Sequence, residues 1–241
     1  MLLTINVFAE VIPASDSRVV YVGRTQVVAA DVSFDWTATY FRIAFSGESL
    51  TMKASETKWD ADADNAATRH NYYNVWIDSP TSAAPHRIIE VAGNDTVIEL
   101  IDPMCLKKSR RAVHEVIVQK RTEGEQGKTT IHEFATDKRG KFFQAEPLKV
   151  RQLEFIGDSY TCGYGIDAKS RLERYSPETE NASRSYAGIV SRYFGADYVA
   201  IAHSGMGIAR NYNSKFKGWW MPDRYLQTFD EDSTQVTRWD A

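Results

Sequence analysis

The chain has little of what staples a fold covalently or carries it through a membrane. Only two of its 241 residues are cysteine, Cys105 and Cys162, and neither a Cys-x-x-Cys motif nor a Cys/His cluster is present. A structural zinc site is therefore not expected. One disulfide between the two halves of the chain is compatible with this count, so cysteine usage leaves the compartment open. No apolar run approaches the roughly 18 to 20 residues that span a bilayer, and no membrane partner is expected. An excess of charge of one sign is also missing. The 29 basic and 32 acidic side chains leave a net charge of -3, with no overall basic field to hold a phosphate backbone, so nucleic acid is not an expected partner. What is present can build a core: 43% of residues are hydrophobic, 12% aromatic and 25% charged, which excludes wholesale disorder, collagen and coiled coil. At this length the chain has room for one large domain or two of ordinary size.

Residues 1–18 stand apart. Leu2-Leu3-Thr4-Ile5-Asn6-Val7-Phe8-Ala9 is apolar, lacks a basic start and precedes polar Ser15-Asp16-Ser17. It reads either as the remnant of a signal peptide ending at Val7-Phe8-Ala9 or as a first β-strand. From Val19 to Pro147 the chain alternates short β-rich runs with turn residues: Val19–Val22 before Gly23, Val32–Trp36, Tyr40–Phe45 before Ser46-Gly47, Tyr73–Ile77 before Asp78-Ser79-Pro80, Thr96–Leu100 before Asp102-Pro103, and His114–Lys120. This spacing predicts an antiparallel β-sandwich over residues 19–147. Lys53 to His70 is polar and reads as a long loop. Its Asp60-Ala61-Asp62-Ala63-Asp64 run lacks the glycine and terminal glutamate of a calcium loop, so no metal is expected there. Lys107-Lys108-Ser109-Arg110-Arg111 reads as an exposed turn. Asn94-Asp95-Thr96 and Asn181-Ala182-Ser183 match glycosylation acceptors, which carry meaning only in a host that glycosylates.

Near residues 147 to 151 the period changes. Leu153–Ile156 is a short apolar strand, and from Ser183 a helix is predicted, with Tyr186, Ile189, Val190, Tyr193 and Phe194 on one apolar face, Ser183 or Ser185 as its cap and Gly195 closing it. Tyr198–Ala202 is a second strand, completing a βαβ unit. Sites in open α/β sheets form beyond the carboxyl ends of the strands. Two glycine-rich loops lie there, Gly157-Asp158-Ser159-Tyr160-Thr161-Cys162-Gly163-Tyr164-Gly165 and His203-Ser204-Gly205-Met206-Gly207. A serine opening a helix beyond a strand can present both its hydroxyl and its N–H to a carbonyl, and a neighbouring glycine N–H can approach the same oxygen. A Gly-Asp-Ser tripeptide alone arises by chance in roughly one chain of this length in twenty. Its position after a strand, with the second glycine loop, gives it weight.

The segment Phe155 to Gly165 resembles the first sequence block of the SGNH (GDSL) hydrolases, and within them the chain most resembles carbohydrate esterase family 2. Gly23-Arg24-Thr25, Lys120-Arg121-Thr122-Glu123, Ser204-Gly205-Met206-Gly207 and Met221-Pro222-Asp223 extend the resemblance over essentially the whole chain. The resemblance implies a jelly-roll sandwich followed, over residues 151–241, by a three-layer, flavodoxin-like α/β hydrolase domain. It implies Ser159 as nucleophile, Gly205 as oxyanion-hole donor, and Asp158 as structural support of the loop. It also implies a secreted or periplasmic enzyme that removes O-acetyl groups from plant polysaccharide of the xylan or glucomannan type, with no metal and no cofactor. Tyr164, Trp219 and Trp220 are candidates for stacking on sugar rings, as are Tyr212 and Tyr225, with packing as the competing role of each. The family's Gly-x-Asn-Asp block and its late general-base histidine are not found in the sequence. Residues 151–241 are accordingly expected to be the N-terminal part of an incomplete hydrolase domain with little activity. Of the five histidines, His203 is the one beside a site loop, but the turn it occupies has no Asp-x-x-His pattern to orient it as a base. The alternative is a non-catalytic carbohydrate-binding protein with a vestigial hydrolase part.

Overall fold

Strand-length runs with inward apolar residues need a second layer to cover them, and here two antiparallel sheets supply it for each other. The structure, a computed structural model, describes residues 9–59, 70–102, 106, 112–214, 219–232 and 238–239. The leading segment up to residue 8, the Asp60 to Asp64 run, the Lys107 to Arg111 turn and Cys105 lie outside the described residues. One sheet holds β1 (Val11–Pro13), β3 (Gln26–Val28), β4 (Asp31–Phe34), β6 (Leu50–Thr57), β9 (Thr96–Glu99) and β11 (Lys128–Thr136). Its order is β3-β4-β11-β6-β9, with β1 added alongside β11. The other holds β2 (Val20–Val22), β5 (Tyr40–Ser46), β7 (Asn71–Ile77), β8 (Arg87–Val91), β10 (Val113–Lys120) and β12 (Lys141–Phe143). Its order is β12-β5-β10-β7-β8, with β2 alongside β5. Phe34, Met52, Ile131 and Phe134 of the first sheet meet Phe41, Phe45, Val75, Val116 and Val118 of the second in one continuous core.

Strand β6 corrects the expectation of a loop beginning at Lys53. Its side chains alternate strictly between inward and half-exposed, but the inward ones after Met52 are Ala54 and Glu56. A methyl group and a carboxylate carry no apolar signal in the sequence. Glu56 is tolerated inside because the Asn71 N–H and Nδ2 both donate to it at 3.0 Å and Lys58 pairs with it at 2.6 Å.

Strand β5 is buried on both faces. Phe41, Ile43 and Phe45 enter the sandwich core, while Tyr40 and Arg42 face the second half of the chain and hold Asp197. That half contains the parallel strands β13 (Gln152–Gly157) and β14 (Asp197–Ala202) with the helix α2 (Tyr186–Tyr193) between them in sequence. Two further short helices are α1 (Ser159–Cys162) and α3 (Met221–Tyr225). The fold is thus mostly antiparallel sheet with few helices.

Helix α2 exists where its period predicts it, but turned over. Tyr186, Ile189, Tyr193 and Phe194 are 47 to 84% exposed, and Ala187, Gly188 and Ser191 form the buried face. The reason is closeness of approach: a Cβ on Gly188 would stand 2.4 Å from the Ser183 carbonyl oxygen. Neither predicted serine caps the helix through its side chain. Ser185 Oγ donates back to the Ala182 carbonyl at 2.8 Å, and Ser183 Oγ to Asn181 Oδ1 at 2.7 Å. Gly195 follows the helix at φ +58°, the left-handed turn expected of it.

Candidate active site

Parallel pairing sets Gly157 opposite Ala202, so β13 and β14 end level. The chain leaves both strands side by side, and the His203 N–H donates to the Gly157 carbonyl at 3.3 Å. The two glycine-rich loops are therefore neighbours. In the first, Asp158 is the N-cap of α1 and its carboxylate accepts the Tyr160 N–H at 3.1 Å. It caps the turn that presents Ser159. Gly163 ends the helix at φ +75°, where a Cβ would lie 2.4 Å from the Asn181 carbonyl. Gly157 is likewise required, since its Cβ would meet Thr161 Oγ1 at 2.0 Å.

Ser159 is half-buried at the edge of a depression of about 400 Å³ that it lines with Tyr160, Gly163, Tyr164 and Ile166. The Tyr164 ring stacks on Tyr175 at 3.8 Å and 8°. In the second loop Gly205 adopts φ +76°, and its carbonyl accepts the Tyr212 N–H at 2.7 Å. Among the described residues neither the Ser159 hydroxyl nor the Gly205 N–H donates to another group of the protein. Trp219 and Trp220 are half-buried and adjoin the second loop, where Asn211 Nδ2 donates to the Trp219 carbonyl at 2.9 Å and the Met221 N–H to the Gly207 carbonyl at 3.2 Å. The Arg224 guanidinium lies 4.1 Å over the Trp219 ring, and the Trp220 N–H donates to Asp223 at the start of α3.

Each of the five histidines is held by a partner other than Ser159. His70 meets Glu56 at 3.0 Å, His86 accepts the Ile77 N–H at 3.2 Å, His114 meets Asp78 at 2.8 Å, and His132 meets Ser55 at 2.8 Å. His203 is 6% exposed, and its Nδ1 bonds Asp230 at 2.7 Å. Burial works against its charged form, yet the charge and hydrogen bond of Asp230, with Glu123 behind them, raise its pKa to about 9. At neutral pH it is an imidazolium, which has no lone pair with which to take a proton.

Beneath the two loops lies a layer of buried charge that the sequence did not disclose. Lys120, Arg121, Thr122 and Glu123 at the end of β10 are all 0 to 2% exposed. Lys120 Nζ donates to the Thr122 and Glu123 carbonyls at 2.6 and 2.9 Å, and burial pulls its pKa down to about 8. Asp35, raised to about 7 by burial and then by the like charge of Asp230, accepts the Asp230 N–H at 2.8 Å. Burial and the charge of Glu123 push Glu180 well above the carboxylate range. The available signal was the placement of four polar residues where the β10 alternation should have continued. Two groups here have ligand-type atoms within 4.8 Å of one another, Glu123 with Cys162 and Glu180, and His203 with Asp230 and Glu231. Lys120 and Arg224 already provide the compensating positive charge in this layer, so neither group calls for a metal ion. Cys162 is a free, buried thiol.

A family profile described as Carbohydrate esterase 2 N-terminal matches residues 21–145. An acetylxylan esterase / glucomannan deacetylase of Cellvibrio japonicus is 32% identical over 183 residues, which is 75% of this chain and 44% of that protein. The structure of a family two carbohydrate esterase from the same organism superposes with a TM-score of 0.80 at 24% identity, covering 96% of this chain and 63% of that one. A family two carbohydrate esterase from Clostridium thermocellum in complex with cellohexaose gives 0.77 at 26% identity, covering 92% of this chain and 61% of that one. The chain thus spans less than half the length of the curated relative and under two thirds of these two structures. With the profile covering more than half of its residues, the chain belongs to carbohydrate esterase family 2, a family of carboxylic ester hydrolases.

Proposed function

We propose that the chain provides the jelly-roll sandwich and flavodoxin-like α/β elements of a secreted or periplasmic acetyl esterase. Its substrate is acetylated plant polysaccharide of the xylan or glucomannan type, and its intermediate is acetyl-Ser159. The observation that carries this reading is the level ending of β13 and β14, which sets a disengaged serine hydroxyl and a left-handed glycine on adjacent loops. The Ser159 oxygen attacks the acetyl carbonyl, and the N–H groups of Ser159 and Gly205 receive the charge that develops on the carbonyl oxygen. The sugar leaves as its alcohol, and water then releases acetate. Tyr160 and Tyr164 supply rings to the wall of the depression. The deacetylase name of the Cellvibrio relative and the cellohexaose bound by the Clostridium esterase support carbohydrate as the ligand class.

The step that needs help is removal of the Ser159 proton. His203 is charged at neutral pH and committed to Asp230, and the other four histidines belong to the sandwich. A missing base and a missing side-chain oxyanion donor each ordinarily cost about a hundredfold or more. The purified 241-residue chain is expected to hydrolyse 4-nitrophenyl acetate only slightly above the uncatalysed rate, with that excess abolished by Ser159→Ala. Turnover that rises through pH 9 and vanishes in His203→Gln would assign the base to His203 and overturn this part of the reading.

A second reading, a carbohydrate-binding role without turnover, draws on the cellohexaose complex of the Clostridium relative. Calorimetric titration with cellohexaose separates the two. Equal binding by the unsubstituted chain and its Ser159→Ala variant, with no 4-nitrophenyl acetate hydrolysis above the uncatalysed rate in either, supports the second.

A further inference from the structure

A buried carboxylate is costly unless every lone pair finds a donor, and the donors of Glu123 all come from the far side of the interface. The Ser204 N–H donates to Glu123 Oε2 at 2.6 Å and the Ser204 hydroxyl to Oε1 at 2.7 Å. The Cys162 thiol donates to Oε2 at 3.8 Å. Cys162 is the last residue of the helix that Ser159 begins, and Ser204 immediately precedes Gly205. One side chain of the sandwich thus grips both site loops. We propose that Glu123 is a positioning residue for the oxyanion hole, fixing the direction of the Gly205 N–H through Ser204 and tying it to the helix that presents Ser159. This rests on reading Ser159 and Gly205 as the acyl-transfer site.

The geometry uses both oxygens of the carboxyl group, one for each donor of the same serine. Accepting both the N–H and the Oγ of one serine locks that residue's backbone and its χ1 together, and charged acceptors make the shorter, stronger bonds. The Gly205 peptide is then held on its other side by the Tyr212 N–H. Behind Glu123, a Cβ on Gly124 would stand 2.5 Å from Asp230, so the backbone carrying the carboxylate packs directly against that side chain. The second buried carboxyl of the layer, Glu180, accepts the Tyr175 hydroxyl at 2.8 Å, and its pKa is pushed up by burial and by Glu123. Burial raises the Glu123 pKa above the ordinary carboxylate value, with Glu125 adding to it and the His203 charge and the two Ser204 hydrogen bonds opposing it.

The test uses Glu123→Gln and Glu123→Ala in the 241-residue chain, read by amide NMR and by 4-nitrophenyl acetate kinetics. In the unsubstituted chain the Ser204 amide proton is expected far downfield and protected from exchange. In Glu123→Gln it moves upfield, and Ser204 and Gly205 exchange at least about tenfold faster while β4, β6 and β11 amides are unchanged. The serine-dependent excess over the uncatalysed rate is lost in both variants. Ser204 and Gly205 amides that coincide in the unsubstituted and glutamine chains would overturn the proposal, as would a serine-dependent excess that survives unchanged in Glu123→Ala. Should both variants fail to fold, the unsubstituted chain decides: an ordinary, rapidly exchanging Ser204 amide overturns it. Turnover that does not depend on Ser159, with the amide signature intact, overturns the enzymatic reading and leaves the positioning established.

Discussion

At His203 a single proton links the site loop to folding. Its folded pKa of about 9 lies above the ordinary imidazole value of 6.5, so the folded state holds the proton more tightly than the unfolded chain. The stabilisation is fully present below pH 6.5 and is lost as pH rises through 9. At 1.36 kcal/mol per pKa unit this amounts to about 3 kcal/mol. Between pH 6 and pH 9.5 the titration of Lys120, lowered to about 8, works in the opposite direction, so the His203 contribution is read from the change in that pH dependence on Asp230→Asn. Urea unfolding at the two pH values should lose about 3 kcal/mol of alkaline destabilisation in the variant, and an unchanged pH dependence would contradict the pairing. Two glycines of the first motif make a second case. Gly163 and Gly165 both have positive φ, +75° and +62°, but a Cβ at Gly163 meets backbone atoms at 2.4 Å whereas nothing lies within 4 Å of Gly165. Gly165→Ala should therefore cost about 1 kcal/mol of backbone strain, and Gly163→Ala about 3 kcal/mol or more by denaturant titration. In the sequence these glycines are indistinguishable. The motif announced the turn, but which glycine is sterically required depends on Asn181, a residue 18 positions away that the fold brings back.

At the scale of elements, periodicity located most strands because their apolar residues alternate, and it failed where polar or small residues took the inward positions. Strand β6 was hidden by Ala54 and Glu56. Helix α2 was found by its apolar stripe, but the face it buries is the small one, because Ala187, Gly188 and Ser191 allow an approach that the aromatic face would prevent. The orientation has a direct test. Ala187→Leu overpacks a fully buried position and should cost about 1 to 3 kcal/mol. Ile189→Gln, at 55% exposure, should stay within about 0.5 kcal/mol in this chain. The opposite ranking in urea titrations would restore the aromatic face as the buried one. The two site loops were legible for a related reason. Strand ends followed by glycine and serine are local patterns, whereas the carboxylate beneath them belongs to an element remote in sequence.

Across the whole molecule the two halves meet through charge as much as through apolar surface. Asp197 at the start of β14 is wholly buried and accepts the Tyr40 hydroxyl at 2.7 Å and Arg42 Nη1 at 3.3 Å. Arg24 Nη1 donates to the Gln227 carbonyl at 2.8 Å, and Arg121 Nη2 to Asp167 at 2.8 Å. A buried pair with one partner removed leaves an uncompensated charge, so Asp197→Ala should cost about 3 to 5 kcal/mol. Because the pair spans the interface, that loss should appear in a single unfolding transition read by both tryptophan fluorescence and far-ultraviolet dichroism. Two separated transitions would mean that the halves fold independently. The polar character of this interface also bears on how such proteins can be recombined. Apolar faces tolerate an approximate partner, but Arg24, Arg42, Arg121 and Glu123 each demand a particular acceptor or donor at a particular place. A chimera that joins this sandwich to the second half of another family member would bury unmatched charges at every one of those points. Modular exchange at residue 150 should therefore succeed only when the matching residues travel with it.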